Sequence, residues 1–177
     1  MKNPKNKGGS FERDVARTLS LWVSNNRHDD LIWRTATSGA KATVSVRSGK
    51  KVKTHIGDLM AVERHREANV LTSRFIIECK HVRNLRWDAL VYGTPESGNT
   101  IIPFWRKLLR EANTHKRMPM LIAKQNGVNP VMAIQFSIKG LMPLIVCHRF
   151  SDPMYVYNLE VVVGTSFLSF MKQRIIL

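Results

Sequence analysis

The sequence predicts one α/β domain built on a mixed central β-sheet flanked by helices. Three observations lead there. Helix-like and strand-like periodicities follow one another as helix, three strands, helix, two strands and a tail, the order expected of a sheet with helices packed on it. A chain of 177 residues is long enough for one domain with a real core and short for two. Its 44% hydrophobic content fits a globular protein, and no internal repeat or low-complexity tract interrupts it.

Residues 1–9 are polar and basic and are expected to form a flexible arm. Ser10 is placed to cap a helix with Glu12 and Asp14 in its first turn, and Phe11, Val15, Leu19 and Trp22 recur at helical spacing to about Asn25. "LIWRTAT", 31–37, reads as a short strand ending at "SGA". The segment 39–53 carries five basic residues and no acidic one, and is expected to be a hairpin or mobile loop that touches phosphates. "HIGDLMAVE", 55–63, alternates as a second strand, and "RFIIECKHV", 74–82, is the third. The intervening "RHREANVLTS" reads as a polar turn. After the loop "YGTPESGNT", an amphipathic helix is expected from Pro103 to about His115. Its Phe104, Leu108 and Ala112 face the core, and its Arg106, Lys107 and Arg110 face water. "MPMLIAKQ" and "PVMAIQF" are strands parted by the turn "NGVNP". "LIVCHRF" and "YVYNLEVVV" look like strands and "SFLSFMKQ" like a closing helix, so 137–177 is expected to extend the sheet. Trp33 and Trp105 are read as core residues.

Charge narrows the function. The 28 Lys and Arg against 13 Asp and Glu give +15, an excess that calls for a polyanionic partner, with nucleic acid ahead of a membrane surface. The N-terminus has no apolar signal region, and no apolar run approaches the ~20 residues of a membrane span. Cys79 and Cys147 lie in apolar runs outside any CxxC motif, as reduced core thiols do, so a cytoplasmic protein is expected. His55, His65 and His81 match no zinc-binding spacing.

The third strand raises the chemical question. Strand alternation puts Phe75, Ile77 and Cys79 on one face and Ile76, Glu78 and Lys80 on the other. Withdrawing charges from water costs several kcal/mol unless they are compensated. Asp58 stands in the preceding strand, and a hairpin-like connection would set it beside Glu78 and Lys80. Two converging carboxylates repel unless a divalent cation lies between them, and Mg²⁺, with Mn²⁺ able to substitute, takes a few carboxylate oxygens plus waters and phosphate oxygens. A neighbouring lysine can orient or deprotonate the attacking water, or steady charge developing on phosphorus. Such parts suit hydrolysis of a phosphodiester. The plainer alternatives are a structural Glu78–Lys80 ion pair and a turn aspartate at position 58.

Asp58 followed by Glu78-Cys79-Lys80 resembles the D…(D/E)xK signature of the PD-(D/E)XK nuclease superfamily, with Gly57 where a proline is usual. "KGGSFERDVARTLSLW" is similar to the first helix of the archaeal-type Holliday junction resolvases and related phage nucleases of that superfamily. "WRTATSGA" resembles their next element, and "FWRKLLREANTHKRMPMLIAKQ" their helix and strand beyond the site. The resemblance covers roughly residues 6–136 and leaves 137–177 unmatched. It implies a restriction-endonuclease-like core and an Mg²⁺-dependent endodeoxyribonuclease, with Asp58, Glu78 and Glu12 towards the metal, Lys80 completing the catalytic set, and Thr35 or Ser38 near the scissile phosphate. Charge adds Lys41, Arg47, Lys50, Lys51, Lys53 and Lys124 as candidate DNA contacts. Four-way junctions are the substrate the resemblance favours, and two symmetric incisions imply a homodimer. The alternatives are a restriction-like or repair nuclease or nickase, and a basic DNA-binding protein without catalysis.

Overall fold

The computed structural model describes residues 4–35, 56–62, 65–87, 90, 101–150 and 152–173. Helix α1 runs Pro4–Val23, so it starts six residues before the expected cap at Ser10. Proline suits a first helical turn, where its missing N–H has no intrahelical partner to lose. Glycine costs up to ~1 kcal/mol within a helix, which is why "GG" reads as an arm in the sequence. The helix tolerates Gly9 where it is buried against another side chain. A Cβ added there would lie 3.3 Å from the Arg34 guanidinium, which crosses α1 at this point. Residues 4–9 are therefore helix, and Glu12 and Asp14 lie beyond the first turn.

Strands β1 (Ile32–Arg34) and β2 (Leu59–Ala61) pair antiparallel, with Trp33 opposite Met60 and Arg34 opposite Leu59. The "polar turn" after them is a helix, α2 (Arg66–Arg74). Its N-cap is His65, whose side chain accepts from the Ala68 N–H. Glu67 in the first turn and Arg74 in the last suit the helix dipole, and Ala68 and Leu71 are buried. A histidine cap is not a strong sequence signal, so this start goes unseen. The consequence matters for the site: β2 and β3 (Phe75–Val82) are joined by a helix rather than a hairpin, and they lie in different sheets.

The main sheet has the order β3-β4-β5-β7-β6, where β4 is Met118–Gln125, β5 Val131–Ile134, β6 Ile145–Cys147 and β7 Met154–Asn158. β3 and β4 are parallel, which requires a crossover, and α3 (Ile101–Thr114) lies between them in the chain; the other pairings are antiparallel. The sheet is thus mixed and covered on both faces. Phe75, Ile77 and Cys79 join the core formed with α1, and Ile76 joins Trp105, Leu108 and Ala112 of α3.

The tail is only partly strand. β7 stops at Asn158, whose side chain accepts from Glu160 N–H at 2.9 Å and caps a short helix, α4 (Leu159–Val163), despite its three valines. The last helix, α5 (Phe167–Met171), is where the sequence puts it. Phe170 packs its ring 4.9 Å from Trp22, 5.6 Å from Phe136 and 5.9 Å from Phe75, so the C-terminal segment closes the core over α1. Cys79 and Cys147 are buried free thiols. No helix among the described residues is long and apolar enough to cross a membrane.

Candidate active site

The site is built on the outer edge of β3. Among the described residues that edge has no strand partner, and the turn before β2 docks on it instead. The Asp58 N–H donates to the Ile77 carbonyl at 2.8 Å, and the Cys79 N–H donates to Asp58 Oδ2 at 2.8 Å. Two successive ladder positions of β3 are thereby satisfied by one residue, which fixes both the backbone and the carboxylate of Asp58. Glu78 and Lys80 flank Cys79 on the α3 face, with Lys80 Nζ 2.5 Å from Glu78 Oε1 and 5.7 Å from the centre of the Phe104 ring.

Gly57 makes this docking possible. Its φ is +83°, a region open to glycine and closed to proline, and a Cβ here would meet the Ile77 carbonyl oxygen at 2.8 Å. The replacement of the usual proline is therefore required by the path of this chain. Thr35 holds the same turn: its N–H donates to Asp58 O at 2.8 Å and its hydroxyl donates to Gly57 O at 3.0 Å. Thr35 is buried, so its hydroxyl supports the aspartate turn and is not presented to solvent as a phosphate contact would be.

Electrostatics mark the cluster. Asp58 is pushed from 3.8 up to about 6, first by burial and then by the Glu78 carboxylate; the Cys79 N–H and the Lys80 ammonium pull the other way, and Glu12 adds a smaller upward push. Burial pulls Lys80 down, but the charge and hydrogen bond of Glu78, with Asp58 behind them, outweigh it and hold the ammonium above its ordinary value. Burial and the surrounding carboxylates raise the Cys79 thiol, so it takes no part as a thiolate.

Glu12 approaches from α1, on the other side of β3. It forms an ion pair with Arg34, and Asp58 feels it less than it feels Glu78. Among the described residues no group of three or more His, Cys, Asp or Glu side chains forms a ready-made metal cage. What the site offers is two hard carboxylates, Asp58 and Glu78, converging where Glu78 disfavours the charge of Asp58. That donor set fits Mg²⁺, which is held by one or two carboxylates and otherwise by water and phosphate oxygens.

Lys124 stands on β4 beside His81, on the opposite face from Glu78 and Lys80, and the structure does not bring it into the cluster. His81 bonds Asn126 and lies against the Phe11 ring, and His65 caps α2. Ser38, Lys41, Arg47, Lys50, Lys51, Lys53 and His55 lie outside the described residues. Sequence reasoning missed the part played by Arg34 as the partner of Glu12, and it misplaced Trp33. The latter is 61% exposed and does not belong to the core. A run of "LIW" reads as core, and only the pairing of β1 at the rim of the molecule shows otherwise.

Over residues 3–160 the chain matches the family described as "Phage putative PDDEXK endonuclease". The chain belongs to this family of phage PDDEXK endonucleases. The match runs beyond β2 and β3 through β7, so it takes in the antiparallel half of the sheet. The chain is a nuclease of the PD-(D/E)XK superfamily, with DNA as the substrate the family implies. Neither a curated protein nor a solved structure matches it.

Proposed function

We propose that this endonuclease hydrolyses DNA phosphodiesters with a divalent cation, Mg²⁺ or Mn²⁺, held by Asp58 and Glu78, and that it acts selectively on four-way junctions. The observation that carries the reading is the convergence of Asp58, Glu78 and Lys80 at the β3 edge, with Asp58 pushed up to about 6. When bound, the cation supplies Lewis-acid polarisation of the phosphate and offsets the repulsion between the two carboxylates. Lys80, held as an ammonium, acts as a hydrogen-bond donor that orients the attacking water or steadies charge on the phosphoryl oxygens, in preference to acting as a base. Glu12, paired with Arg34, adds negative charge that Asp58 feels, and in this reading it orients water around the site.

Junction selectivity rests on the resemblance of the first helix and the strands to the resolvases, and it carries a homodimer with it, since one chain has a single such cluster. Exposed apolar side chains on the tail, Val161 and Leu168, and beside the edge strand β6, Met142 and Leu144, offer surface for the two-fold contact. Cleavage of labelled four-way junction against linear duplex of the same sequence, with light scattering on the free and DNA-bound protein, tests both. Paired symmetric incisions by a dimer are expected. A monomer that nicks one strand of either DNA overturns the junction reading and leaves a nickase.

A further inference from the structure

Strand β1 carries a feature that the Asp58, Glu78 and Lys80 cluster does not use. Trp33 is 61% exposed, an unusual state for a large aromatic side chain. Its indole is held in place: Nε1 donates to the Asp30 carbonyl at 2.7 Å. It lines an open groove of about 470 Å³ between α1 and β1, together with Arg13, Arg17 and Arg34. Arg13 and Arg17 are one helical turn apart on α1, and both are exposed. Two acidic residues, Asp29 and Asp30, also line the groove. Asp29 pairs with Arg17 at 2.7 Å, but both partners are solvent-exposed, and such a pair is weak enough for a phosphate to compete with it.

Strand β1 links the groove to the Asp58 turn. Arg34, next to Trp33, pairs with Glu12, and the following residue, Thr35, is bonded to the backbone of Asp58. A DNA strand with its scissile phosphate at Asp58 and Glu78 would therefore pass its neighbouring nucleotides over α1 and β1. In a fully paired duplex the base faces are stacked on one another, so an aromatic ring can engage them only where a base is unpaired.

We propose that Trp33 is a stacking platform for an unpaired nucleobase of the DNA strand entering the active site, with Arg13 and Arg17 contacting the flanking phosphates. The platform selects DNA with unstacked nucleotides beside the cleavage point, such as forks, flaps and open junction centres. The groove volume falls within the ~300–1,000 Å³ range of small-ligand sites, enough for a nucleobase and its sugar. Aromatic ring and guanidinium groups together are what single-strand binding surfaces combine. The proposal rests on the nuclease reading for its placement of the strand, but its test needs no cleavage.

The test is equilibrium binding by fluorescence anisotropy in EDTA, with a forked duplex bearing an unpaired arm, the same fork with abasic sites in that arm, and a blunt duplex. Trp33→Ala is expected to weaken fork binding by about 5- to 150-fold and to leave the blunt duplex unchanged. Trp33→Phe should keep most of the fork affinity. The abasic arm should reproduce the loss with the native protein, which makes the result independent of any effect of mutation on folding. The proposal is overturned if Trp33→Ala leaves fork affinity unchanged, which would hand the exposed ring to a protein partner, or if it weakens fork and duplex alike. Intact fork preference without any cleavage in Mg²⁺ would sink the nuclease reading alone. Cleavage without fork preference would sink the platform alone.

Discussion

Asp58 is held in an environment that opposes its own charge, so removing that charge should stabilise the fold. The perturbation is Asp58→Asn. Asparagine keeps an oxygen to accept from the Cys79 N–H, and its amide can donate to Glu78, so the geometry survives while the repulsion goes. Moving a carboxyl from 3.8 to about 6 on folding corresponds to about 3 kcal/mol of preference for the protonated form, at 1.36 kcal/mol per decade. The sign follows from proton counting. Between pH 3.8 and about 6 the folded state holds a proton that the unfolded state has released, so native stability falls as pH rises through this window. Above about pH 6 both states are ionised and the whole penalty is present. Urea or thermal unfolding in EDTA should therefore show the variant about 3 kcal/mol more stable at pH 8, or ~6–12 °C higher in Tm for a domain of this size. Roughly half of that gap should be gone by pH 5, and about four-fifths by pH 4. A variant no more stable than the native protein at pH 8, or a gap that does not shrink with acidification, would refute the electrostatic account of the site.

Three further outcomes are expected. Lys80→Ala should slow cleavage by ~10²-fold or more, the usual scale for losing a group that stabilises developing charge. Mg²⁺ or Ca²⁺ affinity by calorimetry should persist, and loss of metal binding would make Lys80 a structural counter-ion instead. Gly57→Ala forces a side chain into a positive-φ turn and against the Ile77 carbonyl, so it should cost about 1–3 kcal/mol and displace Asp58. Near-native melting and cleavage would show that the turn can be rebuilt. Replacing Arg47, Lys50, Lys51 and Lys53 together with alanine should flatten the plot of log affinity against log salt by roughly 0.9 for each phosphate no longer neutralised, and an unchanged slope would route DNA elsewhere.

Strand β3 was legible because its alternation is strong. Glu78 and Lys80 stand out only against Phe75, Ile77 and Cys79, and the structure places each on the face that alternation assigns. The neighbourhood of Asp58 and Glu78 was legible as well, although for a reason the sequence does not display. A hairpin was the expected cause, whereas a helix separates the two strands and the aspartate reaches β3 through a glycine turn. The features that escaped have weak local signals. α2 begins at a histidine cap, α4 hides in a valine-rich run behind Asn158, and α1 extends back through two glycines. The order β5-β7-β6 depends on pairings between residues far apart in sequence, which periodicity does not encode. Trp33 failed for a related reason: whether an apolar residue of a short strand is covered depends on what packs across it, and nothing in "LIW" specifies that.

The central claim is that Asp58 and Glu78 together hold the cation that drives phosphodiester hydrolysis. It is tested most directly by the cleavage rate of end-labelled DNA in Mg²⁺ and in EDTA, for the native protein, Asp58→Asn and Glu78→Gln, with DNA affinity measured in parallel. The native protein should cut in Mg²⁺ and not in EDTA, while both variants bind DNA at least as tightly and fail to cut, because affinity rests on distributed Lys and Arg contacts. Cutting by either variant at a near-native rate, or by the native protein equally well in EDTA, would contradict the account.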